Sequence, residues 1–193
     1  MLPLIVLCHP YENSFSHGIA QALADETTGA GSRPIVHDLY AEEVDPVLSG
    51  AEIARGFSMD PMIQAFSDEV SRSDALFFVH PDWWSGPPAL LKGWIERVLR
   101  PGVAYEWEGE EFTEKHHVPL LVGKRLAVFV TTDRAADDSP EPISGFWRDL
   151  AAYSGLELAR FELFTDVRNS GHRQRRSWLD TVRITAREIV SNG

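Results

Sequence analysis

Two stretches place side chains that could do chemistry directly after an apolar run. The first is His9-Pro10-Tyr11-Glu12-Asn13-Ser14-Phe15-Ser16, in which His9 offers a ring N–H and Ser14 and Ser16 offer hydroxyls. Phe15, Ile19, Ala22 and Leu23 then recur at helical spacing, so Ser14 or Asn13 would cap a helix that starts in this loop. A strand, a polar loop and a helix N-terminus in that order can hold a phosphate, because unpaired amides and the helix dipole both favour an anion. The stretch has neither the G-K-[ST] of a Walker loop nor a G-x-G-x-x-G fingerprint. A plainer reading is a capping serine and a strand-end histidine with no ligand. The second stretch is Trp83-Trp84, just past the apolar run Ala75 to Val79 and the Pro81-Asp82 that ends it. Ligands of open α/β sheets bind at the carboxyl ends of the strands, where flat indole faces could stack on a planar molecule. The same two rings could instead pack under a loop or in a dimer contact.

The elements that must position these groups follow from periodicity. Leu4 to Cys8, Ala75 to Val79 and Leu126 to Val130 are short unbroken apolar runs, the pattern of strands buried on both faces. Pro34 to Leu39 gives a second strand, and Leu156 to Phe164 alternates, as an edge strand with one solvated face does. Helical spacing recurs over Pro61 to Ser73, over Leu91, Trp94, Ile95 and Val98 after Pro87-Pro88, over Ile143 to Tyr153 before Gly155, and over Arg173 to Ser191. Residues 41–60 read as loop plus a short helix, and Glu106 to Lys124 as a polar hairpin or flap. Strands alternate with helices throughout, which predicts a doubly wound α/β sandwich with a parallel five-stranded sheet and helices on both faces.

Composition limits the function classes. With 193 residues and 44% hydrophobic content, the chain is expected to form one domain over 1–193. A net charge of −11 argues against nucleic-acid binding and against an anionic membrane surface, and no apolar run has the length of a membrane span. The single cysteine, Cys8, and an N-terminus that reads as a strand rather than a signal peptide point to the cytoplasm. His116-His117 has no further ligand at useful spacing, and adjacent side chains point different ways, so no metal site is expected. Arg173, Arg175 and Arg176 oppose the dipole of the last helix. Their partner is a carboxylate, a nucleotide phosphate or simply solvent.

The stretch HPDWWSGPPALLKGWIERVLRPGVAY, matched from Pro81 to Tyr105, strongly resembles the flavodoxin-like quinone reductases. That family comprises NAD(P)H dehydrogenases (quinone), bacterial drug-activity modulators and ancillary subunits of glutathione-gated potassium efflux systems. His9-Pro10 with Ser14-Phe15-Ser16 resembles the family's second motif, in which Asn more often stands at the position of Ser16. Asp38-Leu39-Tyr40 with Asp45-Pro46 resembles a third. The resemblance implies strand order 2-1-3-4-5, a homodimer, and a bound flavin, FMN in preference to FAD. It implies that His9, Ser14, Phe15 and Ser16 hold the flavin phosphate and that Pro81, Asp82, Trp83 and Trp84 lie along the ring. Thr131, Thr132 and Asp133 would border its pyrimidine edge. Where the family reads T-T-G-G, this chain has Thr131-Thr132-Asp133-Arg134. Beside a reduced, anionic flavin, Asp133 would be unfavourable and Arg134 favourable. The Tyr and His that relay charge in eukaryotic members have no counterpart in Ala135 to Pro142, so no catalytic residue is assigned.

The implied activity is hydride transfer from NAD(P)H through flavin to a quinone-like acceptor. The alternatives are an ancillary subunit docking on a potassium antiporter, a one-electron flavodoxin-type carrier, and a scaffold that has lost its flavin.

Overall fold

The computed structural model describes residues 1–109, 116–135 and 141–191. In chain order the elements are β1 (Pro3–Leu7), α1 (Phe15–Gly29), β2 (Ile35–Asp38), α2 (Gly50–Arg55), α3 (Pro61–Arg72), β3 (Ala75–Pro81) and α4 (Ala89–Val98). They continue with β4 (Tyr105–Glu108), β5 (His116–Pro119), β6 (Arg125–Thr131), α5 (Glu141–Ser154), β7 (Glu157–Phe164) and α6 (His172–Ser191). Five strands pair in parallel in the order β2-β1-β3-β6-β7, which is the expected 2-1-3-4-5 once β4 and β5 are set apart. Those two form a separate antiparallel hairpin, so the polar excursion after Tyr105 is a hairpin. Glu110, Glu111 and Glu114 of that excursion, and Asp137, Asp138 and most of the Ala135 to Pro142 loop, lie outside the described residues.

Continuous apolar runs form the central strands because helices cover both faces of the sheet. Residue parity decides which layer each side chain enters. Leu4, Val6, Leu76, Phe78, Leu126 and Val128 pack with α3, α4 and α5 residues such as Phe66, Trp94 and Trp147. Ile5, Leu7, Phe77, Val79, Ala127 and Phe129 pack with Ile19 and Leu23 of α1 and Val182 and Ile189 of α6. β7 is mostly half exposed, in keeping with its alternation at the sheet edge.

Much of the stretch around α4 serves this packing. Trp94 is fully buried, and a Cβ built on Gly93 would lie 2.2 Å from the Pro46 carbonyl oxygen, so only glycine lets the 45–60 segment approach the helix. Arg97, also buried, gathers that segment. Its Nε and Nη2 donate to Glu52 Oε1 at 3.0 and 2.9 Å, and its Nη1 donates to the Asp45 carbonyl at 2.6 Å. Burial opposes the charge on Glu52, but hydrogen bonds from Ser49, Ser58 and Arg97 outweigh it and bring the carboxyl down to about 2.

Candidate functional site

Because the sheet is parallel, every strand delivers its following loop to one edge. The ladder extends into those loops: the amide of Cys8 donates to Val79, that of Asp82 to Thr131 at 2.7 Å, and that of Thr132 to Phe164 at 2.9 Å. The loops after β1, β3, β6 and β7 enclose a cleft of about 500 Å³. Of the residues singled out by sequence, His9, Phe15, Ser16, Pro81, Asp82, Trp83, Trp84, Thr131, Thr132 and Asp133 line it. Ser14 stands behind them as the N-cap of α1. Three further residues, Arg134, Val167 and Arg168, complete the lining. Val167 and Arg168 follow β7, and the one sequence signal for them was that each parallel strand must end at this edge.

At one end of the cleft, α1 begins. Ser14 Oγ accepts from the His17 amide at 3.3 Å, and no acidic residue occupies the first turn. The amides of Phe15 and Ser16, first in the helix, have no intrahelical acceptor. His17 Nε2 lies 3.0 Å from Asp38 Oδ2, and a carboxylate can only accept, so the neutral ring carries its proton there and Nδ1 faces Ser14 Oγ at 2.8 Å. His9 Nδ1 accepts from the Tyr11 amide at 3.1 Å, which leaves the proton of the neutral ring on Nε2. Burial, then the neighbouring His17, push the His9 pKa below its usual value, so this ring stays a neutral donor. Ser16 Oγ reaches Thr131 Oγ1 at 3.2 Å and ties α1 to the end of β6.

The opposite wall is the aromatic loop. The Trp83 amide donates to the Gly86 carbonyl at 3.0 Å, closing a turn in which Trp84 and Ser85 take φ of +58° and +62°. Left-handed backbone at non-glycine residues costs on the order of 1–3 kcal/mol each and concentrates at functional sites. Trp84 is also 100% exposed, so this strained turn holds a large apolar ring out into water.

Between the two walls lie four charges in two pairs. Asp133 Oδ1 accepts from the Arg168 amide and Oδ2 from its Nε, both at 3.1 Å. Arg134 turns the other way, with Nε 3.3 Å from Asp82 Oδ2 and Nη2 donating to Ser85 Oγ at 2.6 Å. The Asp82 side chain is 2% exposed, and its buried Oδ1 has no hydrogen-bond partner among the described residues. A buried acceptor without a donor is expensive unless something supplies one. The basic residues of α6 divide: Arg175 donates to Ser170 Oγ and the Val167 carbonyl and lies over the Phe15 ring, while Arg173 and Arg176 are exposed. Arg175 is therefore structural rather than part of a solvated turn.

A planar molecule that carries a phosphate at one end fits these features. It would meet indole faces, acid-free helix amides and the Arg134 guanidinium. Among the described residues no group of three or more His, Cys, Asp or Glu side chains could hold a metal ion. No described helix is long and apolar enough to cross a membrane.

A family model described as "Flavodoxin-like fold" matches residues 1–182. An uncharacterized NAD(P)H oxidoreductase of Haemophilus influenzae is 30% identical over 190 residues, covering 92% of this chain and 90% of that protein. NAD(P)H dehydrogenase [quinone] 1 of Cavia porcellus is 31% identical over 123 residues, and the match covers 54% of this chain and 45% of that longer one. Among solved structures, Smu.1420 of Streptococcus mutans superposes with a TM-score of 0.85 at 26% identity, covering 98% of this chain and 100% of its own.

Proposed function

The chain belongs to the flavodoxin-like NAD(P)H and quinone oxidoreductase family, and we propose that its cleft binds FMN and carries a hydride from NAD(P)H to a quinone-like acceptor. The observation that carries this reading is the convergence of a helix N-terminus, an aromatic loop and the Arg134 guanidinium on one cleft. When bound, flavin supplies the redox chemistry by accepting two electrons and a proton as hydride and passing the electrons on.

The protein's own residues orient and tune. The Phe15 and Ser16 amides, the Ser14 and Ser16 hydroxyls and the His9 Nε2–H hold the phosphate. Pro81, Trp83 and Trp84 form the wall along the ring, and Thr131, Thr132 and Asp133 border its other edge. The α1 start offers one compact anion cradle, which favours FMN; FAD would need room for a second phosphate. We read residues 1–193 as one flavin-binding domain. Trp83 and the fully exposed Trp84, adjacent in the aromatic loop, support a homodimer in which a second copy covers that loop.

The visible spectrum of the freshly purified protein, with released cofactor identified by chromatography, tests the reading. A flavin band bleached by NADH or NADPH and restored by a quinone is expected. An apoprotein that also fails to take up added FMN would overturn it.

A further inference from the structure

The loop after β6 carries Asp133-Arg134, and the two side chains are used in opposite ways. Asp133, at the cleft, has its charge paired by three groups of Arg168: its amide, Nε and Nη2, the last at 3.1 Å. Arg134 instead spans from β6 to the aromatic loop and lines the cleft. Its side chain is 39% exposed, whereas the Asp82 carboxylate it touches is sunk at 2%. The guanidinium therefore faces the cleft and the carboxylate stands behind it. Only Nε and Nη2 have partners, so Nη1 has no acceptor among the described residues.

As a stabilising contact this arrangement is poor. A bridge to a half-exposed arginine contributes little. The arrangement also leaves Asp82 Oδ1 desolvated without a donor. What it does achieve is position. Asp82 is fastened to β6 through the hydrogen bond its amide donates to the Thr131 carbonyl, and Ser85 is held in the left-handed turn, so both anchors of Arg134 are set by backbone geometry.

We propose that Arg134 is the charge-compensating group of the cleft, with Asp82 and Ser85 as its positioning residues, and that it favours a ring which becomes anionic on two-electron reduction. The inference rests on the flavin reading above. Transfer of a hydride from NAD(P)H leaves NAD(P)+ and adds two electrons and one proton to a neutral isoalloxazine. One negative charge is thereby gained in the cleft. A fixed cation in a site of low dielectric stabilises that charge without reorganising.

The test compares FMN-loaded wild type, Arg134→Gln, Arg134→Lys and Asp82→Asn by midpoint potential against reference dyes. Affinity for oxidised FMN is measured separately by fluorescence quenching. Arg134→Gln is expected to lower the preference for reduced over oxidised FMN about tenfold, a shift of about 30 mV to more negative potential for a two-electron couple. Arg134→Lys, which keeps the charge, should recover most of that shift. Asp82→Asn, which removes a negative charge, should move the potential in the positive direction. An unchanged potential in FMN-loaded Arg134→Gln would overturn the proposal. So would a shift of the same sign in Arg134→Gln and Asp82→Asn, the pattern of a merely structural pair. A wild-type protein that binds no FMN removes the flavin reading, and this inference with it.

Discussion

His80 Nε2 lies 3.1 Å from the indole nitrogen of Trp147 and accepts its N–H, while His80 Nδ1 lies 2.8 Å from the Pro81 carbonyl and donates to it. Both bonds require the neutral ring with its proton on Nδ1, in the fully buried core beneath the Pro81–Trp84 loop. Burial lowers the pKa from 6.5 to about 4, only partly offset by the Pro81 bond. Above pH 6.5 both folded and unfolded chains keep this histidine neutral, so it costs nothing. Below that value the unfolded chain takes up a proton that the native state refuses until about pH 4. Stability therefore falls through this window by about 3 kcal/mol from this one group. Denaturant unfolding at pH 7.0, 5.5 and 4.5 should show the loss, and His80→Gln should flatten it. A pH slope unchanged in the variant would show that the ring is not the titrating group.

Arg97 and Glu52 report a second, more acidic window. With the Glu52 carboxyl held at about 2, its contribution is complete above its ordinary value of 4.5 and is lost as pH falls from there toward 2. Arg97→Ala leaves the partly buried Glu52 without its cation, and such a loss costs up to about 3–5 kcal/mol. Glu52→Gln, which keeps a hydrogen-bond acceptor, should cost less than Arg97→Ala in equilibrium unfolding at pH 7. Equal losses would mean that the ion pair itself, rather than the packing of the Arg97 side chain, carries the contribution.

The strands were legible in the sequence because β1, β3 and β6 are buried on both faces, which leaves unbroken apolar runs that no amphipathic helix would have. Their order was not legible from periodicity, since each run looks alike whichever neighbours it takes. The stretch after β3 was the most recognisable in the chain, yet Gly93, Trp94 and Arg97 within it hold the fold together and stand away from the cleft. Pro81 to Trp84 carry its contribution to the site. Conversely, Arg134 and Arg168 became part of the cleft only through side-chain directions. A loop of Thr, Asp and Arg does not reveal which of its charges is paired by a distant residue. Here the answer depended on Arg168, 35 residues further on, being in reach of Asp133.

Gly93→Ala should be among the most damaging conservative changes in the chain. The added methyl would meet the Pro46 carbonyl oxygen at 2.2 Å and its Cβ at 2.5 Å, backbone and ring atoms that cannot rotate away. Overpacking of this kind costs about 1–3 kcal/mol or more. Urea unfolding would measure it; a loss below about 0.5 kcal/mol would mean that the 45–60 segment shifts freely.

Cys8 should be silent in the native protein. Burial, against a weaker backbone bond at Leu91, pushes its thiol up to about 12, so almost no thiolate exists at pH 8. Ellman's reagent should react only in denaturant, with one equivalent released per chain. Rapid labelling of the folded protein would show that the end of β1 opens locally.

Ser14 separates capping from anion binding. Ser14→Ala removes the hydroxyl that accepts from the His17 amide and should cost about 1 kcal/mol of stability. Ser14→Asp keeps a capping acceptor, and the new charge suits the helix dipole, so stability should be retained or gained. The same charge would repel a phosphate held at the Phe15 and Ser16 amides. Its effect should therefore appear with FMN and be nearly absent with riboflavin, which has the same ring and no phosphate. About a tenfold or larger loss of FMN affinity in Ser14→Asp, beside unchanged riboflavin affinity and an intact thermal melt, is the expected result. Equal weakening of both ligands would place the phosphate away from the α1 N-terminus and leave Ser14 with its cap alone.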